Sequence, residues 1–275
     1  MNDLNASSCA PIGIFDSGVG GLTVCRKISE LLPFEKIIYL GDTARVPYGS
    51  KAPETVLRYA RSCAAVLLKY KIKMLVIACN TATAFALEAL QKELDIPVLG
   101  VLRPGATAAL SRTKNGIIGV IGTRGVINSR SYEKTLKAQR PDIDVYSQAC
   151  PLFVPFAEEG WVSGDALFHV ARHYLEDLKK KKIDTLVLGC THYPLLKNTI
   201  QAVLGEDVIL VDSAEETAKD VVESLDKNFL FNKEKEVTQP LFLVTDSPDA
   251  FRSTGEKFWG TSLMSVQWVD ICSTS

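Results

Sequence analysis

Two cysteines in the sequence stand in nearly the same surroundings. Lys73-Met74-Leu75-Val76-Ile77-Ala78-Cys79-Asn80-Thr81 and Asp184-Thr185-Leu186-Val187-Leu188-Gly189-Cys190-Thr191-His192 each run from apolar, β-type residues through a small residue to a cysteine, then to amide and hydroxyl side chains. An amphipathic helical pattern follows each, over 82–94 after the first and 195–204 after the second. Such a run, closed by a polar turn and a helix, predicts a buried parallel strand feeding a helix. Cys79 and Cys190 then sit at the carboxyl ends of their strands, beside the first free N–H groups of a helix. Ligands bind at that edge of an α/β sheet, and helix N-termini favour anions and thiolates. One such thiol in each half of the chain predicts a pair acting on one substrate from opposite sides.

Three chemistries use a thiol in such a place. A nucleophilic cysteine with a histidine base would employ Cys190 and His192 and leave Cys79 without a role. A phosphatase of the C-x-x-x-x-x-R type needs an arginine six residues on, where Phe85 and Leu196 stand. Two-base proton transfer needs an acid and a base on opposite faces of one carbon, and it explains the duplication best. A free thiol with a pKa near 8.5 can reach both forms near neutral pH. The plain alternative for either cysteine alone is a buried core thiol; the repeated polar context argues against it for both.

The elements that must position these thiols repeat strand, turn and helix. Pro11-Ile12-Gly13-Ile14-Phe15 predicts a first strand, ending at Asp16 and a glycine-rich segment, Ser17-Gly18-Val19-Gly20-Gly21, read as a tight strand-to-helix turn. Strands are predicted over 36–40, 73–78, 96–101, 116–122, 144–150, 184–189 and 208–211, with helices over 22–32, 54–70, 106–111, 166–180 and 214–225. The pattern restarts at Arg103-Pro104-Gly105: Gly116 to Gly125 resembles the opening segment, and Ser17 and Thr123 are separated by nearly the same interval as the two cysteines. This predicts an internal duplication. The fold class is α/β: two similar doubly wound domains with mostly parallel sheets, pseudo-symmetric, with the active site in the cleft between them. The first domain takes residues 11–102 and 213–275, with late strands near 241–246 and 265–269 and a helix over 249–259 returning to complete it. The second takes residues 103–212.

Composition narrows the function classes. With 47% hydrophobic residues the chain is globular, and a net charge of −1 argues against a nucleic-acid partner. No apolar run reaches bilayer length, and residues 1–10 read as a disordered leader lacking the regions of a signal peptide. These features point to a cytoplasmic protein with no membrane partner. The seven cysteines are odd in number and include no C-x-x-C pair, which argues against a zinc ribbon or a disulfide framework. His169 and His173 read as a helical pair rather than zinc ligands, and no metal site is expected.

The remaining side chains fit an amino-acid ligand. N–H and hydroxyl groups at Asn80, Thr81 and Thr191 would hold an α-carboxylate at helix starts. Asp16 would bind an ammonium, and the Pro47-Tyr48-Gly49 loop a second acidic group through its N–H groups.

Five motifs, in order, resemble glutamate racemase: Asp16-Ser17-Gly18-Val19-Gly20-Gly21-Leu22, Pro47-Tyr48-Gly49, Cys79-Asn80-Thr81-Ala82, Ala149-Cys150-Pro151-Leu152-Phe153-Val154-Pro155 with Glu158-Glu159-Gly160, and Gly189-Cys190-Thr191-His192-Tyr193-Pro194. The resemblance implies interconversion of L- and D-glutamate without pyridoxal phosphate or metal, supplying D-glutamate for bacterial peptidoglycan, by a homodimer. It implies that Cys79 and Cys190 are the two bases, assisted by Asp16 and His192. It also implies that Ser17, Tyr48, Gly49, Asn80, Thr81, Thr123 and Thr191 bind substrate and that Glu158 lines the site. The sequence departs from the family pattern at Val126, where a threonine is frequent, and carries Arg103 where the family varies. The competing readings are an aspartate racemase and a non-catalytic binding protein of the same fold, such as a DNA gyrase inhibitor. Pro47-Tyr48-Gly49 favours glutamate over aspartate, and retention of both cysteines disfavours a purely binding role.

Overall fold

The computed structural model describes residues 8–271. Most of the expected leader, and Cys272, lie outside the described residues. In the first half β1 (Ile12–Asp16), α1 (Leu22–Leu31), β2 (Ile37–Gly41), α2 (Pro53–Leu68), β3 (Met74–Ile77), α3 (Asn80–Glu93) and β4 (Val98–Gly100) alternate. α4 (Leu102–Arg112) leads to β5 (Ile117–Gly122), α5 (Arg124–Ser129), α6 (Ser131–Gln139), β6 (Asp144–Ala149), α7 (Phe153–Glu159), α8 (Asp165–Lys180), β7 (Thr185–Gly189), α9 (Lys197–Leu204) and β8 (Ile209–Asp212). The chain closes with α10 (Ser213–Lys227), β9 (Leu241–Val244), α11 (Pro248–Trp259) and β10 (Val266–Trp268).

Among the described residues the strands form two sheets, in the orders β10-β9-β2-β1-β3-β4 and β6-β5-β7-β8, and every pairing is parallel. The central strands β1, β3 and β7 are buried along their whole length, as near-continuous apolar strands covered on both faces must be. Four neighbouring strands of the first sheet, β2-β1-β3-β4, repeat the order of the whole second sheet in chain sequence. In each sheet the chain goes from its first strand to one side and then to the other. The crevice at that reversal lies between β1 and β3 in one sheet and between β5 and β7 in the other. Cys190 follows β7 directly, and Cys79 follows β3 after Ala78.

The late strands β9 and β10 join the first sheet beside β2. α10 packs against both α1 and α4, and the largest apolar cluster is continuous from Leu22 and Ile28 of α1 through Val221 and Leu225 of α10 to Leu186 and Leu188 of β7. The two sheets therefore share a core.

Two local readings are corrected, and helices form where none was expected. α4 begins at Leu102, four residues before the expected start, and takes in Arg103-Pro104-Gly105; proline is tolerated in a first turn, where its missing N–H has no partner to lose. The stretch 124–139 forms two helices, and Phe153–Glu159 a third that ends on the left-handed Gly160. Ser8 is held in place, its carbonyl accepting from the buried Lys73 ammonium, which also pairs with Glu35. His169 and His173 lie exposed on α8.

Candidate active site

The carboxyl ends of the two sheets meet around one small cavity, with about 350 Å³ of atom-free space. From the first half come Ser17, Pro47, Tyr48, Gly49, Cys79, Asn80 and Thr81; from the second come Thr123, Cys190, Thr191 and His192. Eleven of the residues expected from sequence thus share one wall. Val46 and Val154 complete it, and no polar motif marked either. Asp16 and Glu158 are not on this wall. Asp16 is fully buried at the end of β1, and Glu158 reaches the site through His192.

Cys79 caps α3: its sulfur accepts from the Ala82 N–H at 3.5 Å and lies 3.8 Å from Ser17 Oγ. Because α3 begins at Asn80, both Asn80 and Thr81 fall in its first turn. Burial pushes the Cys79 thiol pKa up to about 12, and the nearby Asp16 carboxylate adds to this against the Ala82 and Ser17 hydrogen bonds. At neutral pH Cys79 is therefore protonated.

Cys190 has a different setting. A 3-10 turn, Tyr193–Leu196, separates it from α9, so it does not lie at an α-helix N-terminus as expected. Pro194 has no N–H, and Tyr193 N and Leu195 N donate three residues back to the Cys190 and His192 carbonyls. The Cys190 sulfur lies 3.7 Å from His192 Nδ1, and His192 Nε2 lies 2.9 Å from Glu158 Oε1. Burial disfavours a charged imidazole, yet the contacts with Cys190 and Glu158 prevail and hold the His192 pKa at about 10. Phe258 of α11 packs edge-on against the ring, with centroids 5.3 Å apart.

The glycine-rich segment after β1 forms the expected strand-to-helix turn, and its glycines also serve a close approach. Gly18, Gly20 and Gly21 have no left-handed backbone. Instead, a Cβ on Gly20 would lie 2.3 Å from Thr191 Oγ1 and 2.5 Å from His192 Nδ1. Glycine there lets the Cys190 turn close against the end of β1. Another contact between the halves is the 2.9 Å hydrogen bond joining Thr81 Oγ1 and Thr123 Oγ1. Thr123 also caps α5 by accepting from the Val126 N–H, so Val126 contributes backbone rather than a side-chain hydroxyl.

Two buried polar atoms at the site have no hydrogen-bond partner among the described residues: Asp16 Oδ1 and Asn80 Nδ2. Burial raises the Asp16 pKa, opposed by His192 and by N–H groups including that of Gly18, which donates to Oδ2 at 2.9 Å. The Tyr48 hydroxyl is already engaged, donating to Asp42, which also accepts from Arg45 and Thr245. Asp42 thus anchors the Pro47-Tyr48-Gly49 loop from behind. Its place just after β2, like that of Asp16 at the end of β1, was the available sequence signal. Among the described residues no group of His, Cys, Asp and Glu side chains is arranged to hold a metal ion, and no helix is long and apolar enough to cross a membrane.

Comparison with known proteins gives the family. A family profile described as Asp/Glu/Hydantoin racemase matches residues 12–221, and the chain belongs to that family. Within it the similarity is to glutamate racemases. The one from Geobacter metallireducens is 53% identical over 260 residues, covering 94% of this chain and 96% of the relative. Among solved structures, glutamate racemase isoform RacE1 from Bacillus anthracis superposes with a TM-score of 0.92 at 42% identity, covering 96% of this chain and 98% of that one. The enzyme from Francisella tularensis, solved in complex with D-glutamate, superposes with a TM-score of 0.92 at 40% identity over 97% of this chain and all of the other.

Proposed function

We propose that this chain is an isomerase interconverting L- and D-glutamate by two-base proton transfer at Cα, supplying D-glutamate for peptidoglycan. The observation that carries this reading is that Cys79 and Cys190, from different sheets, line the same cavity. One thiolate removes the Cα proton, and the opposite thiol delivers a proton to the other face, so the configuration inverts. In the reverse direction the two exchange roles.

The surroundings support distinct resting states. Cys79, with its raised pKa, holds its proton and is the acid at rest. Cys190, 3.7 Å from His192 Nδ1, is assigned the role of base. Glu158 holds that ring in place and stabilises its charge. The N–H groups and hydroxyls at Asn80, Thr81, Thr123 and Thr191 receive the α-carboxylate. Asp16, behind this wall with Oδ1 unpartnered among the described residues, is assigned to the ammonium, and the neighbouring Ser17 contacts Cys79. The backbone N–H groups of Tyr48 and Gly49 receive the side-chain carboxylate. Both thiols are only 6% exposed, and exclusion of water strengthens each of these interactions.

In this reading residues 11–102 and 213–275 form one domain and 103–212 the other, the protein acts in the cytoplasm, and two copies associate. The two thiols supply both proton-transfer groups, so neither pyridoxal phosphate nor a metal is required. Incubation with L-glutamate in D₂O after dialysis against chelator tests this. The Cα proton signal should disappear as D-glutamate forms; dependence on added pyridoxal phosphate or a divalent ion contradicts it.

A further inference from the structure

Tyr132, in the first turn of α6, is among the largest fully buried side chains yet belongs to no motif. Its hydroxyl crosses to the other half and donates to Asn80 Oδ1 at 2.8 Å, and Ser213 hydrogen-bonds the same hydroxyl. Its ring lies against the end of β7: a Cβ on Gly189, one residue before Cys190, would sit 2.9 Å from Tyr132 Cε2. One side chain therefore touches the turn carrying Cys190 and the residue following Cys79.

A primary amide presents either its oxygen or its nitrogen to a neighbour, according to its rotation. With Oδ1 engaged by Tyr132, the other end of Asn80 is a buried NH₂ with no protein partner. Asn80 lines the cavity. A buried donor left unpaired is costly unless a ligand completes it. We propose that Tyr132 is a positioning residue for substrate: its hydroxyl fixes the Asn80 amide so that the nitrogen, and not the oxygen, meets a carboxylate of the bound amino acid. The inference rests on the reading of this cavity as the glutamate site.

The test is a double-mutant cycle on the full chain with both glutamate enantiomers: Tyr132→Phe, Asn80→Ala and the pair. Tyr132→Phe keeps the ring and removes only the hydroxyl. It should raise KM about two- to tenfold, the loss expected for one hydrogen bond, while kcat stays within about twofold. In the Asn80→Ala background the same change should have no further effect on KM. An unchanged KM in Tyr132→Phe, or the same increase in both backgrounds, overturns the proposal, since a merely structural tyrosine would act without regard to Asn80. Should Tyr132→Phe fail to fold, Asn80→Asp replaces it. That variant keeps an acceptor for Tyr132 but lacks the N–H donor, so it should fold and bind glutamate poorly; an unchanged KM overturns the proposal. If Asn80→Ala itself leaves KM unaltered, the amide has no role in binding and the proposal falls, while Cα exchange in D₂O reports separately whether the racemase reading stands.

Discussion

The Cys79 and Cys190 turns are the same device built twice and finished differently. Both follow a buried strand beside the crevice where strand order reverses. After Cys79 an α-helix starts at once, and the thiol is held by a backbone N–H and Ser17. After Cys190 a 3-10 turn intervenes, and the thiol is held by an imidazole backed by a carboxylate. Both sulfurs line one cavity, and the residues around them differ: burial and Asp16 push the Cys79 thiol pKa up, whereas Cys190 lies beside His192. Symmetric placement suits a reaction whose substrate and product are mirror images. Unequal protonation is equally necessary, because one thiol must start as acid and the other as base.

The largest effect expected is loss of either sulfur. Cys79→Ala and Cys190→Ala should each lower racemisation by at least about 100-fold, with the fold intact by circular dichroism. Substantial turnover by either variant would remove the two-thiol mechanism.

The next concerns the helpers. A hydrogen bond to a charged group is worth about 1.5–3 kcal/mol, so His192→Asn should lower kcat about ten- to hundredfold in the direction that starts with Cys190 as base. Asp16→Asn should lower it more in the opposite direction, because Asp16 acts on Cys79. The equilibrium constant between free enantiomers is unity, so kcat/KM must fall equally in both directions, and only kcat reports the difference. Equal losses of kcat in both directions, with equal solvent isotope effects, would leave the pairing of helper and thiol without support.

A smaller effect is expected at Glu158. Glu158→Gln removes the charge that helps hold His192 protonated, so the alkaline limb of the kcat profile should move to lower pH. An unmoved limb would disconnect Glu158 from the Cys190 turn.

The smallest is a stability effect. The folded His192 pKa, about 10, lies above its ordinary value of 6.5. Its protonation therefore stabilises the fold fully below about pH 6.5, and the contribution is lost as pH rises through about 10. Tm should fall across that window, and His192→Asn should flatten the slope; the same slope in both proteins would place its origin elsewhere.

The duplicated cysteine segments, Pro47-Tyr48-Gly49 and Asp16-Ser17 could be read because strand patterns end visibly and polar residues follow. Their convergence could be anticipated only through the duplication. The segment after β1 is the expected strand-to-helix turn, but glycine at position 20 is dictated by Thr191 and His192, far away in sequence. Tyr132 and Asp42 act through other residues, so neither carries a motif. The helices over 124–139 hold only two buried side chains in α6 and one, Val126, in α5, leaving little apolar periodicity to detect. The 3-10 turn after Cys190 was signalled by Pro194, which the stronger helical pattern beyond it concealed.

The central claim, that separate groups act on opposite faces of Cα, is tested most directly by the isotope content of the first product formed. Wild-type protein is mixed with protiated L-glutamate in D₂O, and both enantiomers are analysed by mass at low conversion. Two bases that do not share a proton predict D-glutamate carrying deuterium at Cα in essentially every molecule, while unreacted L-glutamate still carries protium. Early D-glutamate that retains the substrate's own proton would show one group serving both faces and contradict the account.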